Sequence, residues 1–166
     1  MSRTGSRIAL VAFGALFFAQ GFAKALDPVG YMAAIDRFHV LAPSRLGALS
    51  LGALGLGWTV LELLAGVAML YGGLARAPST KVPLVGILLA LGLSFTYFAL
   101  DAGALSRHVH VLNTTTFGAW LAQPLSPAVL LQQAALMGVL AWLFMRVMWW
   151  WRPRYLGSPI SPATLH

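Results

Sequence analysis

Apolar positions in this chain gather into four long runs, separated by connections where polar, Gly and Pro residues collect. A bilayer hydrocarbon core of about 30 Å is crossed by about 20 apolar residues in a helix. The runs therefore predict transmembrane helices over about residues 8–26, 48–74, 82–100 and 127–148. In the first, only Gln20 and Lys24 interrupt the apolar character, and in the second Glu62 is the sole charge. The third is bounded by Lys81 and Asp101. The fourth starts at Ser126-Pro127, an N-cap followed by Pro at the first helical position. Arg3 and Arg7 before the first run, with Ala23-Lys24-Ala25 near its end, also match a signal-peptide pattern; the run is read here as a retained first helix. Between the first two spans, Asp27-Pro28 is a helix start, and Met32, Ile35, Phe38 and His39 recur at helical spacing with Asp36 and Arg37 turned away. That pattern predicts a short amphipathic helix at the membrane interface. The expected fold is an all-α integral membrane protein: four transmembrane helices with a short interfacial helix after the first. Residues 1–154 make one domain, and residues 155–166 an irregular tail.

Composition agrees with this class. Of 166 residues, 59% are hydrophobic and 9% charged, against about 45–50% and about 25% in soluble domains; the mean hydropathy is +0.79. A soluble globular domain and a disordered chain are both excluded on these values. The net charge of +7 would suggest nucleic acid in a soluble protein. Here the basic residues lie at the edges of apolar runs, where they meet lipid headgroups, and no nucleic-acid partner is expected. Cysteine is absent, which removes disulfides, thiolate metal sites, iron–sulfur clusters and thiol chemistry from this chain.

The basic residues also give an orientation. Arg3, Arg7, Arg76, Lys81, Arg146, Arg152 and Arg154 fall on one side of a four-span chain; Lys24, Arg37, Arg45 and Arg107 fall on the other, with Asp27, Asp36 and Asp101. The positive-inside rule puts the first group, and both termini, in the cytoplasm of a bacterial inner membrane. The connections 27–45 and 101–126 then face outward. Trp149, Trp150 and Trp151, followed by Arg152 and Arg154, read as an aromatic belt with basic anchors: an interface with lipid or a partner subunit.

Few residues carry candidate chemistry. An ionised group in mid-membrane costs about 2.5–3.5 kcal/mol on insertion scales, so it marks either function or a pair. Glu62 lies roughly 15–20 Å below the outer surface, and Lys24, near the outer end of helix 1, can point toward it with water between them. Two readings stand for this pair: a structural ion pair or protonated Glu, and proton or quinone chemistry. His108 and His110 form an H-x-H that can share a metal if extended, but with Asp101 as its lone nearby carboxylate no metal site is expected. No histidine falls inside an apolar run, which argues against haem held by this chain alone. Gln20, Gln132 and Gln133 read as interhelical hydrogen-bonding residues, and Ala48/Gly52, Ala53/Gly57, Gly86 and Gly92 as close-packing positions. Asn113-Thr114-Thr115 matches a glycosylation sequon by a pattern frequent by chance. Phosphate-binding loops, dinucleotide fingerprints, nucleophile elbows and zincin motifs are all missing.

The stretch FFAQGFAKALDPVGYMAAIDRFHVLAP, followed by WTVLELLAGVAMLYGG, resembles the DoxX/MauE-like family of four-helix membrane proteins. Gly21-x-x-Lys24, Asp27-Pro28 with the 35–41 stretch, and Glu62-Leu63-x-x-Gly66 carry the resemblance, whose layout covers most of residues 10–145. MauE-like members typically hold Cys-Gly-Cys-Phe-Gly in the second outer loop and are associated with redox maturation, notably disulfide formation in periplasmic methylamine dehydrogenase. Here that stretch is Thr114-Thr115-Thr116-Phe117-Gly118. A threonine hydroxyl relays no thiol–disulfide electrons, so the resemblance implies the scaffold without that redox step. The leading expectation is a non-catalytic accessory subunit of a larger electron-transfer complex, with membrane lipids and other membrane-protein subunits as partners. The alternatives are a quinone-linked oxidoreductase or redox-maturation subunit using Glu62 and Lys24, with His108 or His110 near the quinone or donor, and a small oligomeric transporter. Quinone or lipid is the ligand class these readings admit.

Overall fold

The computed structural model describes residues 3–37, 48–75, 81–107, 112–113 and 123–150. Its elements are α1 (Arg3–Leu26), α2 (Pro28–Arg37), α3 (Ala48–Leu74), α4 (Lys81–Ser106), β1 (Leu112–Asn113), β2 (Gln123–Pro124) and α5 (Pro127–Trp150). Helices α1, α3, α4 and α5 are each long and apolar enough to cross a membrane, and α2 is the short helix expected after the first. The chain is a multi-pass helical membrane protein. Outward-facing Phe22, Leu56, Leu64, Phe95 and Leu131 are all at least half exposed. In a bilayer such side chains meet lipid tails, so their exposure costs nothing.

The four long helices run up, down, up and down. Arg7 lies by Gly73, Gly21 by Leu63, and Gly86 by Ala65 and Ala68, while Asp101 on α4 meets Gln133 on α5. Each neighbouring pair is therefore antiparallel. The closest approach is between α1 and α3. A β-carbon on Gly14 would stand 2.7 Å from the Leu70 backbone nitrogen, and one on Gly66 would stand 2.5 Å from that of Phe18. Glycine at both positions lets the two backbones touch, the small-residue contact that lipid-embedded helices use. Not all the glycines read as packing positions serve this purpose: Gly86 does, but a β-carbon on Gly57 or Gly92 would meet nothing within 4 Å among the described residues.

The helix ends follow local chemistry. Asp27 caps α2: its Oδ1 accepts the Gly30 N–H at 2.9 Å and its carbonyl the Tyr31 N–H at 3.1 Å, with Pro28 pre-set for the first turn. At the far end of α3, the Arg7 guanidinium donates to the carbonyls of Gly73 at 2.9 Å and Ala75 at 2.7 Å. A cation there satisfies otherwise orphaned carbonyls. The Ser126 carbonyl takes the first amides of α5, from Val129 and Leu130.

Two details depart from the sequence reading. Helix α4 continues to Ser106, so Asp101 is not a loop residue at the membrane surface but a buried helical one. Ala102-Gly103-Ala104-Leu105 contains nothing that stops a helix, and the amide of Gln133 supplies the carboxylate with a donor at 2.6 Å. Within the second long connection, Leu112 pairs with Pro124 and Asn113 with Gln123, antiparallel, where no strand was expected. Phe38, His39, His108, His110, Thr114 to Gly118, Trp151, Arg152, Arg154 and the tail over 155–166 lie outside the described residues.

Candidate functional site

The buried interior is divided along the bundle axis. At the end remote from α2, Leu10, Phe17, Met69, Ile87, Leu140, Leu143 and Val147 form an apolar core. Toward α2 the buried side chains turn polar: Gln20, Lys24, Thr59, Glu62, Ser94, Asp101 and Gln133, with Tyr31 and Tyr97. Among the described residues, only Ser6 is a buried polar group at the other end. Three residues of the polar half, Ser94, Tyr97 and Asp101, stand three and four positions apart and so share one face of α4.

Lys24 and Glu62 lie at the centre of this half, both entirely buried, and the ammonium pairs directly with Glu62 Oε1. The sequence reading placed water between them; the structure closes the gap. Gly21 explains how. It sits one turn before Lys24, and a β-carbon there would be 3.1 Å from Glu62 Cβ and 2.9 Å from Leu63 Cγ. The spacing Gly21-x-x-Lys24 thus brings α1 against α3 and delivers the amine to the carboxylate.

Two tyrosines complete the cluster, and neither was singled out from the sequence. The Tyr97 hydroxyl donates to Glu62 Oε1 at 2.6 Å and accepts from Lys24 Nζ at 3.0 Å. Its single proton is committed to the carboxylate, so Tyr31, with its hydroxyl 3.4 Å away, acts as donor to Tyr97. The Lys24 ammonium also lies 4.5 Å from the Tyr97 ring centre and 4.9 Å from that of Tyr31, a cation–π geometry. Trp58 meets Tyr97 edge-on at 6.0 Å. Tyr31 comes from α2, whose inward face it leads ahead of half-buried Met32. Burial pushes the Tyr31 phenol above its ordinary range. The signal available in sequence was the position of Tyr97 inside an apolar run, since a buried tyrosine needs a partner for its hydroxyl.

One atom of the cluster is unmet. Glu62 Oε2 is buried and has no hydrogen-bond partner among the described residues. Leaving a buried acceptor unsatisfied costs about 1–3 kcal/mol, and more for a charged group. The carboxylate therefore keeps one acceptor oxygen with no donor against it among the described residues. Gln133 Oε1 is likewise unpartnered among them. Gln133 does bridge two helices, α4 and α5, whereas Gln132 points outward. No cluster of three or more metal-ligating side chains occurs among the described residues.

Comparison with protein-family models, with curated proteins and with solved structures found no match to this chain.

Proposed function

We propose that this chain is a subunit of a bacterial inner-membrane electron-transfer assembly, and that its own chemistry is proton handling at Glu62 beside a quinone. The observation that carries this reading is the buried carboxylate with one oxygen held by Lys24 and Tyr97 and the other open. A quinol hydroxyl is a donor of the kind Oε2 lacks. With a quinol bound there, Glu62 would take one hydroxyl proton, while the second proton and both electrons would pass to acceptors held by another subunit. A chain without cysteine has no thiol with which to take those electrons itself. This takes up the alternative expected from sequence, a quinone-linked subunit using Glu62 and Lys24, in place of the non-catalytic accessory subunit, and the resemblance to DoxX/MauE-like proteins supports it through Gly21, Lys24, Asp27, Glu62 and Gly66.

Orientation follows from charge. Seven basic residues lie on the side of the termini and four on the side of α2. Lys24, one of the four, is neutralised by Glu62, which widens the difference. The proposed arrangement has both termini in the cytoplasm and α2 on the periplasmic face. Because the chain lacks cysteine, single replacements report it cleanly: Ser44→Cys should react with an impermeant maleimide added to intact spheroplasts, and Ser79→Cys only after lysis.

The function is tested by isolating the assembly from native membrane in mild detergent, with wild-type chain and with Glu62→Gln. Redox subunits should co-purify in both, while quinol oxidation by the variant assembly falls about a hundredfold or more, the range general acid–base groups contribute. A lone monomer in native electrophoresis, or undiminished quinol oxidation in the variant, overturns the reading.

A further inference from the structure

Helix α5 carries one charge, Arg146, and no carboxylate. Its guanidinium lies over the ring of Trp142, 5.6 Å from the centre. Together with Met145 and Trp149, these residues line an open groove of about 220 Å³. The four positions follow helical spacing, so they share the outward face of α5. Trp142, Met145 and Trp149 are 41%, 64% and 66% exposed, on the side that meets lipid.

Among the described residues, no carboxylate side chain stands beside Arg146 as its counter-charge. There are four carboxylates in all: Asp27, Asp36, Glu62 and Asp101. Asp27 caps α2, Asp36 lies on α2, Glu62 is paired with Lys24 and Asp101 with Gln133. Glu62 lies at mid-span, and the other three stand toward the opposite end of the bundle from Arg146. Depth identifies what stands there instead. The span Pro127–Trp149 has 23 residues, about 34 Å at 1.5 Å per residue, centred on a hydrocarbon core of about 30 Å. Arg146 then sits about 2–3 Å inside the hydrocarbon boundary, within reach of the headgroup phosphates.

We propose that Arg146, Trp142 and Trp149 form a binding site for the phosphodiester of an anionic phospholipid. A planar guanidinium presents parallel N–H donors to two phosphate oxygens, which an ammonium cannot match. Stacking on Trp142, one turn deeper in the hydrocarbon, fixes its plane, and the Trp149 indole flanks the headgroup at the level where tryptophans settle in bilayers. Met145 lies against the first carbons of the acyl chains. The site is independent of the Glu62 cluster.

The test uses the purified full chain with phosphatidylglycerol, read by native mass spectrometry and by quenching of tryptophan emission with the brominated lipid. Wild type should retain the lipid, Arg146→Gln should bind it about tenfold more weakly, the range of a charge-assisted contact, and Arg146→Lys should fall between. Because half-buried Arg146 lines the groove on the outer face of α5 and no part of the apolar core, the unfolding midpoint of Arg146→Gln in detergent should stay at the wild-type value, separating loss of the site from loss of the fold. Equal retention by wild type and Arg146→Gln overturns the proposal. So does displacement of the lipid by excess inorganic phosphate, which would make the occupant a soluble anion.

Discussion

Tyr97 donates its hydroxyl proton to the same oxygen of Glu62 that receives the Lys24 ammonium, at 2.6 Å. One carboxylate oxygen therefore carries two charge-sensitive contacts while the other carries none among the described residues. In a lipid-embedded bundle this asymmetry is costly to keep, because each buried charge gives up its hydration on insertion.

Removing one member of the ion pair should hurt more than removing both. Lys24→Met leaves Glu62 buried and uncompensated and should cost about 3–5 kcal/mol in detergent. The double variant Lys24→Met/Glu62→Leu should recover most of that loss. Tryptophan emission during thermal unfolding reads both, and adding salt should not change the wild-type value, since buried pairs are little screened. Equal losses in single and double variants would show that the pair contributes only through packing.

The two tyrosines should separate by rank. Tyr97→Phe deletes the donor to Glu62 and the acceptor for Lys24, with an expected cost of about 1.5–3 kcal/mol. Tyr31→Phe removes one long contact at 3.4 Å and should cost under about 1 kcal/mol. A double-mutant cycle gives their coupling directly.

Tyr31 also sets a pH dependence. Its folded-state pKa is raised by burial above the ordinary 10.0. Its contribution is thus fully present below pH 10, where both folded and unfolded chains keep the phenol neutral. Above that pH the unfolded chain ionises while the folded one does not, so stability falls as the pH climbs toward the raised value. Unfolding midpoints taken from neutral pH into the alkaline range should decline more steeply for wild type than for Tyr31→Phe.

Glycine substitutions should divide by contact. Gly66→Ala drives a methyl to 2.5 Å from the Phe18 backbone nitrogen, and neither backbone can yield without separating α1 from α3. Several kcal/mol of destabilisation is expected, on the order of other overpacked cores at about 1–3 kcal/mol or more. Gly92→Ala meets nothing within 4 Å among the described residues and should be stabilising by up to about 1 kcal/mol through helix propensity. Similar midpoints for the two variants would contradict the close α1–α3 contact.

Replacing Arg7 tests the far end of the bundle. Arg7→Gln removes charge-assisted bonds to the Gly73 and Ala75 carbonyls and should cost about 1.5–3 kcal/mol. Amide exchange should quicken in the last turn of α3 while that of α5 is unchanged.

The four spans and the cap at Asp27 were legible because they depend on local quantities: the length of an apolar run against bilayer thickness, and a side chain that satisfies amides a few residues on. Glu62 and Lys24 also stood out, since charge in an apolar run is rare enough to notice one residue at a time. Their direct contact was not legible, because it depends on Gly21 meeting Leu63 across the helix interface. Tyr97 and Tyr31 were passed over for a related reason. A tyrosine is ordinary in a membrane helix until the residue opposite it is known. Asp101 was placed at the surface because a charge normally ends an apolar run, and its burial depends on partners from other helices, Gln133 among them. Sequence alone, then, determined which segments leave water, because transfer free energy sums along a chain. The tertiary structure decided which polar groups meet, because a hydrogen bond depends on the distance between atoms far apart in that chain.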